Sequence, residues 1–267
     1  MSTDPFKAAD RPVRIGVQVV PQHAEYPLLR DAVRRVEDAG ADIVFNWDHF
    51  YPLSGDPDGL HFEGWTELAA WAEQTERIEF GPLVNCNSYR NPNLQADMAR
   101  TIDHISGGRF IFGTGSGWKE RDYVEYGYDF GTVGSRLNDL ARDLPIIRDR
   151  WTKLNPPPTR RIPILIGGQG EQKTLRIVAE HADIWHSFVG SGDLPRKLEV
   201  LQRHAETVGR DVAGIEIGND LGHRDTASAD ELYDHGVRLY TFGVTVTPDF
   251  DWSVLTRWLA WRDAKNG

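Results

Sequence analysis

Asp48 and His49 stand side by side where the apolar run ADIVF (41–45) ends in NWDHF (46–50). Histidine is the side chain nearest neutrality in pKa, which suits general acid–base work. Neighbouring strand residues point to opposite faces, but where the chain leaves a sheet both can reach one rim. On the dipeptide alone a second reading is equally good: Asp48 caps a turn and His49 packs beneath a loop.

Three other patterns could carry chemistry. Nine histidines raise metal-assisted hydrolysis, yet no pair has ligand spacing, and His181 and His186 are five apart across a helix–strand junction. Ser116 in GTGSG resembles a nucleophile elbow, but Thr114 stands where that motif needs glycine. Anion binding fits better. In IGGQGEQKT, Gly167 and Gly168 follow a strand and open a helix, where backbone N–H groups favour negative charge. GTGSG adds a second glycine-lined surface.

The elements that must position these groups alternate. Strands are expected at 13–20, 41–47, 77–84, 107–117, 162–168, 183–189, 213–220 and 237–246. Helices are expected at 26–40, 64–76, 91–106, 135–154 (with a kink at Pro145), 171–182, 194–209, 228–236 and 251–264. Strands separated by helices pair in parallel, and runs such as IPILI are apolar on both faces, as a covered sheet requires. Eight such pairs predict a (β/α)8 barrel, with a doubly wound open sheet as the alternative. Barrel active sites lie at the C-terminal strand ends, where NWDHF, GTGSGW, IGGQG and WHSF all fall.

The 267 residues are 40% hydrophobic, enough for one large core, and read as a single domain with residues 1–11 as a loose tail. A net charge of −10 argues against nucleic acid as the main partner. One cysteine, Cys86, cannot form an internal disulfide, which fits a reducing cytoplasm. There is no signal-peptide pattern and no 18-residue apolar run, so a cytoplasmic location is expected.

FNWDHF (45–50), the S-G-G-R-x-x-x-G-x-G-x-G-W pattern of 106–118 and IPILIGGQGEQKT (162–174) together resemble the luciferase-like monooxygenase superfamily, in particular its coenzyme F420-dependent oxidoreductase branch. The likeness runs from about residue 13 to 190. It implies a (β/α)8 barrel with a deazaflavin ring across its mouth, hydride transfer to or from a small organic substrate, and commonly a homodimer. It assigns Asp48 to the ring system and makes His49 the catalytic proton carrier. Leu83, Val84 and Asn85 would back the ring, with a non-proline cis peptide at Leu83–Val84. Ser116 and Gly117 would line the ring or its ribityl chain. Gly167, Gly168 and Gln169 would hold the phosphate, and His186 and Ser187 would continue that wall. FMN is the alternative cofactor, with monooxygenase activity, and a non-catalytic flavin-binding protein is the alternative of another class. Trp118 and Leu53 occupy places where sugar-phosphate dehydrogenases of the family carry Glu and Trp, which puts that activity in doubt. The loop 51–65 is the expected lid, with His61 and Glu63 as substrate contacts.

Overall fold

The computed structural model describes residues 5–8, 11–222 and 225–267. Its elements begin with α1 (Pro5–Ala8), β1 (Arg14–Val20), α2 (Tyr26–Asp38), β2 (Ile43–Asn46), α3 (Gly64–Gln74), β3 (Glu79–Pro82) and β4 (Asn85–Cys86). They continue with α4 (Pro92–Ile105), β5 (Phe112–Gly115), α5 (Glu120–Tyr126), α6 (Val133–Lys153), β6 (Ile164–Gly167) and α7 (Thr174–His181). The last are β7 (Ile184–Ser187), α8 (Leu194–Thr207), β8 (Glu216–Asp220), α9 (Thr226–Asp234), β9 (Val237–Thr245) and α10 (Ser253–Asn266).

All pairings between these strands are parallel, in the order β3-β2-β1-β9-β8-β7-β6-β5-β4. β3 and β4 are two pieces of one strand. β3 pairs with β2, β4 pairs with β5, and the Leu83–Val84 peptide between them is cis, as expected. A bridge between Phe80 and Phe110 completes the ring. The nine described strands therefore occupy eight positions of a (β/α)8 barrel.

Two apolar layers hold it together. Inside the barrel, Ile43, Phe45, Ile111, Leu165, Ile184 and Leu239 pack together, with Leu83 and Val84 partly buried above them. Outside, the opposite strand faces meet the helices through a larger core that includes Trp65, Trp71, Phe80, Phe110, Phe112 and Trp185. This double burial explains the near-continuous apolar strands. Charges close the end opposite the site. Arg14, the first residue of β1, reaches Glu79 of β3 at 2.6 Å and Glu216 of β8 at 2.5 Å, and Arg160 adds a second ion pair to Glu79.

Local signals explain the helix ends. α4 opens with Pro92 behind the Asn91 cap and stops at Gly107 and Gly108, both at positive φ. Arg109 then donates to the carbonyls of Ala72, Thr75 and Ile78, satisfying the C-terminal end of α3. The S-G-G-R part of the recognised pattern is thus a structural clamp.

The structure adds detail to three expectations. α5 was not foreseen, because its seven residues follow a glycine-rich strand with no apolar period of their own. α6 runs through Pro145 as one helix. The expected tail includes α1, whose Phe6 is buried and comes close to Gly236; residues 1–4 and 9–10 of that tail lie outside the described residues. Of Trp252, Trp258 and Trp261, possible interface residues by sequence, Trp258 is part of the core, and Trp252 and Trp261 pack partly buried against it. Among the described residues no helix is long and apolar enough to cross a membrane.

Candidate active site

A cavity of about 520 Å³ opens at the C-terminal strand ends. That size suits a cofactor or a small ligand. Asp48, His49, Leu83, Val84, Asn85, Ser116, Gly117, Gly167, Gly168 and His186 all border it. The strand order brings together residues up to about 140 positions apart in sequence.

His49 is held on three sides. Its Nδ1 donates to Asp122 Oδ2 at 2.6 Å. The rings of Trp47 and Trp118 meet it edge-on, at centroid distances of 5.8 Å and 5.6 Å. Asp122 is fully buried in the first turn of α5 and also accepts a hydrogen bond from the Tyr89 hydroxyl at 3.1 Å. With Nδ1–H given to Asp122, Nε2 is an acceptor in the neutral ring and a donor in the cation. Among the described residues Nε2 has no hydrogen-bond partner. A base oriented by a carboxylate, with its second nitrogen open, is the usual arrangement for moving one proton.

Asp48 plays a different part. Both of its oxygens bind the Arg90 guanidinium, at 2.6 Å and 2.9 Å, and Oδ2 also accepts from the Cys86 N–H. Burial pushes its pKa up, against the pull of Arg90 and of that N–H. Arg90 bridges onward to Glu63, whose side chain caps α3. Asp48 borders the cavity, but its hydrogen bonds tie the end of β2 to β4 and α3.

The cavity floor is built from glycine and Val84. A Cβ on Gly115 would stand 2.9 Å from Val84, and one on Gly167 would stand 3.0 Å from it. Gly117 sits at φ +78°, where a Cβ would fall 2.0 Å from the Tyr123 hydroxyl. Gln18 Nε2 donates to the Leu83 carbonyl at 2.7 Å, fixing the split strand from below. One flank of the cavity therefore offers flat backbone, a surface on which a planar group can lie.

His186 lies across the barrel from His49. β2 and β7 are four positions apart in either direction around the eight. Its Nε2 shares a hydrogen bond with Thr241 Oγ1 at 2.7 Å, and complete burial lowers its pKa to about 3, so the ring is neutral. Cys86 borders the cavity with its thiol 3.2 Å from the Tyr123 hydroxyl, and burial raises its pKa to about 11.

Several expected residues sit elsewhere. Ser187 alternates away from His186 and accepts from Asn219 outside the cavity. Gln169 is exposed on the rim, where its carbonyl accepts from Lys197. Asn85 borders the cavity, but its side chain turns outward to Trp65 and Gln95. Trp185 lies behind the wall and donates to the Gly168 carbonyl. His61 and Glu63 do not border the cavity. His61 accepts the Trp47 indole N–H at 3.0 Å, and burial brings its pKa down to about 4. Of the expected lid, Leu53 faces the cavity, and the rest is pinned by Gln22, His23 and Arg121.

Asp122, Tyr89, Gln18 and Phe188 were not anticipated as site residues. Asp122 lies 73 residues from His49 on a helix with no apolar signature, so only the fold shows the pairing.

Comparison with known proteins agrees with the fold. The luciferase-like monooxygenase family model matches residues 12–222. An F420-dependent glucose-6-phosphate dehydrogenase of Amycolatopsis mediterranei is 32% identical over 125 residues, which are 45% of this chain and 36% of that protein. The structure of an F420-dependent secondary alcohol dehydrogenase, solved with an F420–acetone adduct, superposes with a TM-score of 0.81 over 91% of this chain and 96% of the other, at 14% identity. A type II Baeyer–Villiger monooxygenase of Pseudomonas putida, in complex with FMN, gives 0.64 over 78% and 67%, at 16% identity. The family match spans most of the barrel and the whole His49–Asp122 site, and this chain belongs to the luciferase-like monooxygenase family.

Proposed function

We propose that the protein is a coenzyme F420-dependent oxidoreductase in which His49 carries the proton that accompanies hydride transfer. The observation behind this reading is the Tyr89–Asp122–His49 chain, which ends at an open Nε2 on a glycine-floored cavity. Val84, Ser116, Gly117, Gly167 and Gly168 offer the surfaces for a planar ring and its tail, and His186 forms the far wall. The deazaflavin, when bound, supplies or accepts the hydride. Trp47 and Trp118 keep the His49 ring upright, and Asp122 holds its tautomer. Asp48 positions the end of β2 through Arg90. A cytoplasmic location and homodimeric assembly complete this reading, and light scattering checks the second.

FMN is the second reading, because apolar side chains and backbone do not distinguish one tricyclic ring from another. Titration with each cofactor, followed by quenching of Trp47 and Trp118, separates them. Saturable quenching by F420 and none by FMN supports the proposal. The reverse result makes the protein an FMN-dependent monooxygenase. Tight binding without turnover over a broad substrate panel makes it a binding protein. With F420 bound, His49→Ala is expected to keep cofactor affinity and lose about 10²–10⁴ in turnover. Normal turnover in that variant sinks the role of His49.

A further inference from the structure

Asp122 orients His49, yet it is carried by a helix too short to stand alone. α5 has seven residues, and isolated helices of that length are marginal in water. Successive residues of a helix point about 100° apart, so Asp122 projects between Arg121 on one flank and Tyr123 on the other. Its aim is fixed only when both flanks are held. Its bonds to His49, the Phe50 N–H and the Tyr89 hydroxyl form where the helix delivers it. Tyr123 is fully buried and packs with Tyr89, Cys86 and Phe130, which anchors its own flank.

Arg121 holds the other flank against the segment that follows His49. Its Nη1 donates to the Pro57 carbonyl at 2.7 Å, its Nη2 meets Asp58 Oδ1 at 2.6 Å, and its guanidinium lies over the Tyr51 ring at 3.8 Å. Asp58 is mostly exposed, so the ion pair by itself contributes little, and the carbonyl and the ring supply the rest of the grip. At the end of the same helix, Tyr126 stacks on Phe50 at 3.9 Å. The gripped segment is itself tied to the barrel. Gln22, just past β1, accepts the Leu53 N–H at 2.8 Å and donates to the Ser54 hydroxyl at 2.9 Å, and His23 Nε2 donates to the Ser54 carbonyl at 2.6 Å.

We propose that Arg121 is a positioning residue for His49: by clamping α5 to Tyr51 and Pro57, it aims Asp122 at His49 Nδ1 and so keeps Nε2 as the open nitrogen. Its effect on turnover rests on the reading of His49 as the proton carrier. Arg121 does not itself border the cavity, so it acts through what it holds. Leu53, in the gripped loop, does border it. A loosened loop alone would therefore alter ligand binding, whereas a misaimed Asp122 alters the tautomer of His49.

The test uses the full chain, first without cofactor and then with F420. Nitrogen NMR of labelled histidine rings, with the His49 signals assigned by their loss in His49→Ala, reads which nitrogen carries the proton of the neutral ring. The unaltered protein is expected to show the Nδ1–H form. Arg121→Ala moves the population toward Nε2–H, as Asp122→Asn does. Arg121→Lys restores most of the Nδ1–H form, because an ammonium can still meet the Pro57 carbonyl and the Tyr51 ring. With F420, Arg121→Ala lowers kcat several-fold and displaces the pH profile of kcat/KM in the same direction as Asp122→Asn, with KM little changed. In the Asp122→Asn background, Arg121→Ala adds no further loss. An unchanged tautomer in Arg121→Ala overturns the proposal, as do losses that add in the double variant or that appear in KM alone. Absence of turnover with F420 sinks the cofactor reading instead, and the cofactor-free tautomer measurement still decides the role of Arg121.

Discussion

His49 and Asp48 are neighbours in sequence with different work to do. His49 presents one open nitrogen to the cavity, whereas Asp48 has both oxygens engaged by Arg90 and the Cys86 N–H. The group that sets His49's tautomer is Asp122, which itself accepts from Tyr89. Asp122→Asn keeps the shape but can present an amide N–H to Nδ1, favouring the wrong tautomer. We expect a drop in turnover of roughly tenfold or more, with the pH profile of kcat/KM displaced and the KM for cofactor little changed. A uniform loss with an unaltered pH profile would mark Asp122 as merely structural.

At the level of elements, the site depends on how closely β5 and the split strand β3–β4 approach. Gly117 lies where a side chain would collide with Tyr123 and Cys86, at a φ that L residues disfavour. Gly117→Ala is therefore expected to cost more than about 1 kcal/mol and to weaken cofactor binding. Urea midpoints and the F420 titration check both effects. An unchanged midpoint would mean that the Tyr123 ring swings aside. α5 shows the same dependence from the other direction: a seven-residue helix of little intrinsic stability delivers Asp122 because its Tyr123 packs among Tyr89, Cys86, Tyr128 and Phe130.

Across the whole molecule, buried ionisable groups set how stability follows pH. Glu67 is nearly buried; among the described residues its side chain is bonded only by Asn46 and Oε1 has no partner, and burial pushes its pKa from 4.5 up to about 7. The folded chain then holds a proton that the unfolded chain has lost, so this group's contribution falls as pH rises from about 4.5 through 7. His61 and His186, brought from 6.5 down to about 4 and about 3, act oppositely: stability falls as pH drops below 6.5. The expected maximum lies near neutral pH. Glu67→Gln removes the loss on the alkaline side and gains up to about 3 kcal/mol at pH 8, with little change at pH 4. Thermal melts across pH 4–9 check this, and parallel curves for the two proteins would refute it.

Much of this protein is determined locally. Apolar runs broken by glycine and separated by amphipathic stretches specify the order of strands and helices, because period and punctuation act over a few residues. The count of such pairs implies the barrel, and the barrel implies which strand ends meet at the mouth. FNWDHF and the glycines of 113–117 and 167–168 are therefore legible as rim residues. Side-chain partnership is not local. Whether Asp48 faces a ligand or Arg90, whether His61 is free or bound to Trp47, and which acid orients His49 depend on residues 14 to 73 positions away. Ser187 and Gln169 sit beside true wall residues and still miss the cavity, because the alternation of a strand and the turn of a loop decide direction. The sequence determined the barrel and the location of its mouth. Tertiary packing decided which of the polar groups there remain open to a ligand, since burial and pairing are properties of the assembled core.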